Sequence, residues 1–136
     1  MSGALTVSQL ALVFVGGGVG SVLRFAIARW VTPGEWDGAG PPFPYGTMLV
    51  NILGCVAIGL LAGWCGKREW ATPLLIVGLL GGFTTFSAFG LDTVRLLDAG
   101  HAGRAAVYVA GSVMCGLAGV WIAVRLGIRF DESGLA

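Results

Sequence analysis

The chain carries four apolar runs, each close to the roughly 20 residues that a helix needs to cross a bilayer. They lie at about Val7 to Val31, Tyr45 to Trp64, Pro73 to Leu97 and Ala105 to Leu126. Turns separate them, and one longer loop rich in proline and glycine runs from Thr32 to Pro44. The expected fold is an all-α membrane protein, one four-helix transmembrane domain spanning residues 1–136. A charged fraction of 11% supports this, because a soluble domain carries about 25%. The 24 glycines follow no three-residue period, so they point to closely packed membrane helices rather than to collagen. A net charge of +1 offers no basic field for nucleic acid. Ala26 and Ala28 loosely match a signal-peptidase site, but no Lys or Arg precedes the first apolar run. That run is expected to be retained as a span.

The third run contains an anomaly. Gly81-Gly82-Phe83-Thr84-Thr85-Phe86-Ser87-Ala88-Phe89 sits at its middle. The paired glycines weaken a helix there, and three uncharged hydroxyl side chains follow. Phe86 and Phe89 are three apart and share a face. A helix broken at membrane depth is tolerated where its freed backbone lines a cavity or meets protein. This stretch is expected to touch a permeating ion.

Few other polar residues enter the spans. Arg24 lies near the far end of the first and has two readings: a snorkelling side chain, or a cation at a pore mouth. Asn51, in the second, must bond a neighbouring helix, water or a transported species. Asp92 and Arg95 are spaced as an i,i+3 pair. Tyr108 and Ser112 are four apart on the fourth. Small-xxx-small pairs (Gly16 with Gly20, Gly17 with Ser21, Gly59 with Gly63) favour close helix approach. Cys55, Cys65 and Cys115 match no zinc or redox spacing and read as packing residues. Trp30, Trp36, Phe43 and Tyr45 form an interfacial aromatic belt. His101 falls in a turn and reads as a solvated loop residue.

Basic residues divide four against three between the two sides: Lys67, Arg68, Arg125 and Arg129 against Arg29, Arg95 and Arg104. That difference hardly selects an orientation. Mixed insertion would permit an antiparallel dimer with its two-fold axis at mid-depth, where the Gly81 to Phe89 stretch also lies. Carbonyls freed near Gly81 and Thr84 of both copies would then converge on a cation.

No nucleophile, base and orienting acid assemble, and no carboxylates cluster, so no enzyme is expected. Transport remains. Asn51, Thr84, Thr85, Ser87, Tyr108 and Ser112 offer hydrogen-bond donors, and phenylalanine ring edges carry partial positive charge. With no acidic residue in the middle of any span, this set suits a small, strongly hydrogen-bonding anion.

These motifs resemble the Fluc family of fluoride channels, the CrcB-like proteins, along nearly the whole chain. The matching elements are Gly-Gly-x-Thr-Thr-Phe-Ser-x-Phe at 81–89, Tyr-Gly-Thr-x-x-x-Asn at 45–51, the glycine-rich start leading to Arg24, and Tyr-x-x-x-Ser at 108–112. The resemblance implies an antiparallel dual-topology homodimer in the inner or plasma membrane, with two pores for passive fluoride export. It implies a structural sodium ion, Na+, held by the Gly81 and Thr84 carbonyls of both subunits. It places Phe86 and Phe89 at the pores, Asn51 on the anion path and Arg24 in the vestibule. Tyr108 and Ser112 would line the polar side, with Thr85 and Ser87 near the broken segment. Two positions depart from the family pattern: Ala88 replaces a common hydroxyl, and Gly116 stands where members can carry serine. The polar track is expected to be shorter here. A small multidrug transporter also has four spans, but would want a carboxylate in the first, which this chain lacks. A non-transporting assembly subunit explains the glycines but not the hydroxyl-rich stretch.

Overall fold

A computed structural model describes residues 5–32, 34, 40–66 and 68–133, with backbone alone for 128–133. Pro33, Trp36, Lys67 and the side chain of Arg129 lie outside the described residues. Among the described residues, four helices are long and apolar enough to cross a membrane: Val7–Val31, Tyr45–Gly66, Thr72–Asp98 and Ala102–Gly127. Helix α1 is Val7–Val31 and α2 is Tyr45–Gly66. A π-helix, Thr72–Leu80, leads into a single turn, α3 (Gly81–Phe83); α4 is Phe86–Asp98 and α5 is Ala102–Ser133.

Local signals account for the helix ends. Thr6 caps α1 through a reciprocal box: its Oγ1 accepts from Gln9 N–H at 3.3 Å, and its own N–H donates to Gln9 Oε1 at 3.2 Å. Pro73 sits in the first turn of the π-helix, where its missing N–H is harmless. Gly100, at φ +78°, closes α4. Helix α5 runs past Leu126 through the charged stretch to Ser133. Gly127 does not end it, because Gly127 packs against the Leu60 carbonyl of α2.

The bundle consists of two parallel pairs held by small residues. Gly16 and Gly20 of α1 lie against the carbonyls of Leu74 and Leu79, where any Cβ would overlap. Gly82 lies the same way against Gly17. Along the other pair, Gly111 meets Met48, Gly119 meets Val56, Ala123 meets Gly59 and Gly127 meets Leu60. Contact positions rise together in both helices, so α2 and α5 run in the same direction. Of the expected Gly59 and Gly63 pair, only Gly59 makes contact; Gly63 faces open space. Leu96, Ala105 and Tyr108 form a buried cluster, with Phe43, Met48 and Phe89 packed around it.

The third span corrects the expected role of the glycine pair. Gly81 and Gly82 are helical, and the interruption falls just after them. Thr84 (φ −85°, ψ 155°) and Thr85 (φ −152°, ψ 117°) are extended, and α4 begins at Phe86. Both the N–H and the Oγ1 of Thr84 donate to the Leu80 carbonyl at 2.9 Å, which ends the turn. Gly82 serves close approach to α1 instead.

Candidate functional site

A cavity of about 380 Å³ opens beside the interruption, lined by Asn51, Gly54, Gly81, Thr84, Thr85, Phe86, Phe89 and Ser112 together with aliphatic side chains and Cys55. Thr85, midway along Thr72–Asp98, is the pivot. In a continuous helix its N–H would donate to the Gly81 carbonyl. It donates instead to Asn51 Oδ1 at 2.8 Å, while Asn51 Nδ2 donates to the Thr85 carbonyl at 3.1 Å. One amide side chain thus engages both backbone polar groups of one residue and leaves the Gly81 carbonyl without its helical partner. The Thr84 carbonyl loses its partner too, because Ala88 N–H donates to Thr85 Oγ1 at 3.2 Å as the cap of α4. Thr85 Oγ1 also bonds Ser87 Oγ at 3.2 Å. Gly54 makes room for this geometry: the Thr84 methyl occupies the space where a Cβ would stand.

The aromatic pair splits by environment. Phe86 is 84% exposed, whereas Phe89 packs on Tyr108 with ring centroids 5.2 Å apart. The two phenylalanine centroids are 5.6 Å apart. Tyr108 is fully buried and Ser112 is 8% exposed. Among the described residues, neither hydroxyl has a hydrogen-bond partner. Buried polar atoms are rarely left so. Ser112 lines the cavity with Phe86 and Phe89, whereas Tyr108 packs behind Phe89 and does not line it.

Arg24 makes a contact that neither expected reading named. It reaches inward and donates from Nε to the Gly82 carbonyl at 3.2 Å; Ser21 Oγ approaches the same oxygen at 3.5 Å. Asp92 and Arg95 form the expected i,i+3 pair at 3.7 Å.

The region that matches the family described as "CrcB-like protein, Camphor Resistance (CrcB)" is residues 11–124, which contains all of these side chains. The chain belongs to the CrcB-like family. It is 44% identical over 119 residues to a protein of Novosphingobium aromaticivorans, covering 85% of this chain and 93% of that one. It is 44% identical over 122 residues to one from Methylobacillus flagellatus, covering 87% and 93%. It is 42% identical over 122 residues to one from Rhizobium etli, covering 87% and 94%. Each of these relatives is named "Fluoride-specific ion channel FluC". With four spanning helices and this membership, the chain is a multi-pass membrane protein.

The structure of this CrcB-like chain also gives partners to positions that the sequence only named. Thr47 Oγ1 donates to Asp92 Oδ2 at 2.8 Å, beside a second cavity of about 320 Å³ under the Thr32 to Pro44 loop. Thr47 is one turn before Asn51, a spacing that marks a shared face. Gly116 fits its place: a Cβ there would lie 3.3 Å from Cys55 Sγ, so a serine would crowd the thiol. His101 is half-buried against Gly40 rather than solvated. Of the three cysteines, Cys65 is buried and Cys115 exposed, and all are free thiols. No group of three or more His, Cys, Asp or Glu side chains is placed to hold a metal among the described residues. The free oxygens of the interruption itself are the Gly81 and Thr84 carbonyls.

Proposed function

We propose that this chain is a fluoride-selective passive channel that exports fluoride from the cytoplasm across the inner or plasma membrane. The observation that carries the reading is the buried, unpartnered hydroxyl of Ser112 in the cavity it shares with Phe86 and Phe89, with Tyr108 packed behind Phe89. An ion that sheds water must regain comparable interactions inside the protein. Fluoride is a small anion that accepts strong, short hydrogen bonds. Neutral hydroxyls supply these without the tight hold of a fixed positive charge, so the ion can also leave. Phenylalanine edges add weak positive potential along the same path. The names of the relatives agree with this choice of anion. Export would protect a cytoplasm into which hydrogen fluoride diffuses and ionises.

The reading extends to an antiparallel dual-topology homodimer with two pores. The near-even basic residues support mixed insertion, and Phe86, exposed in one chain, would be covered in the pair. The Gly81 and Thr84 carbonyls, freed by Asn51 and by the Thr85 cap, fit a hard monovalent cation. Two carbonyls from one chain are too few to replace a hydration shell, so a symmetry copy would complete the set. A sodium ion held there would join the subunits and offset repulsion among nearby anions.

Efflux from proteoliposomes tests the reading. Fast fluoride release with negligible chloride release, and no need for a proton gradient, is expected. Equal chloride release would refute selectivity. Dependence on a proton gradient would favour a coupled transporter.

A further inference from the structure

We infer that Arg24 is a positioning residue: it fixes the helix interruption through its Nε bond to the Gly82 carbonyl, and its charge is secondary. The inference deepens the conduction reading and rests on it for the flux readout alone. In an unbroken helix the Gly82 carbonyl would accept from Phe86 N–H. Here α4 starts at Phe86, so that partner is lost. Arg24 Nε, at 3.2 Å, and Ser21 Oγ, at 3.5 Å, supply the replacement from α1. They stand three apart on one helical face, and Gly82 lies against Gly17 of the same helix.

The interruption is therefore held from two sides. Helix α1 grips it at Gly82, and α2 grips it at Thr85 through Asn51. The carbonyls of Gly81 and Thr84 are left free between those grips. Arg24 is half-buried, and its innermost nitrogen makes the contact. A residue acting by charge alone would need no bond from Nε, whereas an ordering contact does.

Side-chain chemistry separates the two roles. Glutamine carries a nitrogen at the same bond distance from Cα as arginine Nε, but no charge. Lysine keeps the charge and moves its donor one atom further out. Methionine keeps neither. The test is hydrogen–deuterium exchange of the 81–89 segment in the purified full-length protein, with α5 as internal control, alongside fluoride efflux from proteoliposomes. Arg24→Met is expected to raise exchange in 81–89 by about tenfold, since it removes a hydrogen bond made by a charged donor. Exchange in α5 stays the same. Arg24→Gln is expected to keep exchange within about twofold of the parent, with efflux about tenfold above that of Arg24→Met. Arg24→Lys is expected to exchange faster than Arg24→Gln.

The inference is overturned if Arg24→Gln exchanges as fast as Arg24→Met while Arg24→Lys matches the parent. If Arg24→Met does not fold, the Gln and Lys variants decide between them. A parent protein without fluoride efflux would sink the conduction reading, while the exchange result still decides the role of Arg24.

Discussion

Asn51 and the backbone of Thr85 close a ring of two hydrogen bonds, 2.8 Å into Oδ1 and 3.1 Å from Nδ2. The amide presents its donor and its acceptor on separate atoms, so a carboxylate or an apolar side chain cannot repeat the pairing, and a hydroxyl has a single oxygen for both roles. Asn51→Leu keeps the approximate volume and leaves the Thr85 N–H unpaired, while the Thr85 carbonyl keeps only its helical bond as the N-cap of α4. The unpaired donor costs about 1–3 kcal/mol. The melting temperature is expected to fall, and fluoride efflux to drop at least about tenfold, because 1.4 kcal/mol is already tenfold.

The two phenylalanines are expected to behave alike in flux and differently in stability. Phe86→Ile and Phe89→Ile each remove a ring edge, and both are expected to reduce fluoride efflux strongly. Phe89→Ile also breaks the contact with Tyr108 and is expected to cost about 1 kcal/mol. Phe86→Ile removes little packing within one chain and is expected to stay within about 0.5 kcal/mol. Thermal unfolding beside efflux checks both. Unchanged flux in both variants would remove the aromatic role.

Gly54 and Thr84 are expected to be coupled. Gly54→Ala places a methyl where Thr84 Cγ2 now sits, an overpacking that costs about 1–3 kcal/mol. Thr84→Ser deletes that methyl and keeps the hydroxyl bond to Leu80. The double variant is expected to recover most of the loss, and a double-mutant cycle measures it. Additive losses would show that the two side chains do not meet.

Sodium replacement tests the carbonyl site without any mutation. With sodium exchanged for N-methylglucamine at constant ionic strength, the purified protein is expected to melt at lower temperature. A ligand at about 100 times its dissociation constant contributes about 2.7 kcal/mol. Identical melting in both salts would count against a resident sodium ion.

The number of long apolar helices and their approximate ends were legible in the sequence, because bilayer thickness and the cost of burying polar groups act on composition directly. The first span was expected over Val7 to Val31 and occupies those residues. The interruption lies inside the expected 81–89 stretch, at Thr84 and Thr85 and not at the glycine pair. Glycine is a weak helix former, but Gly81 and Gly82 stay helical because a neighbouring backbone needs their missing side chains. The turn ends at Thr84 and Thr85 because Asn51, thirty-four residues upstream, captures an amide. Such long-range capture leaves no local mark. Thr47 stood in the 45–51 motif, but its bond to Asp92 was not foreseen for a similar reason: a threonine in a span shows no partner until the distant carboxylate is in view.

The π-helix from Thr72 to Leu80 has a consequence for how the chain tolerates insertions and deletions. Its wider turns set the rotational phase with which the chain enters the interruption. Each residue of a helix turns the chain by about 100°. Losing one residue between Pro73 and Leu80 would barely shorten the span, yet would swing Gly82 away from Arg24 and Phe89 away from Tyr108 together. Single-residue length changes here should therefore be more damaging than most single substitutions of the same residues, and the segment acts as a phase register between the glycine seat on α1 and the aromatic pair.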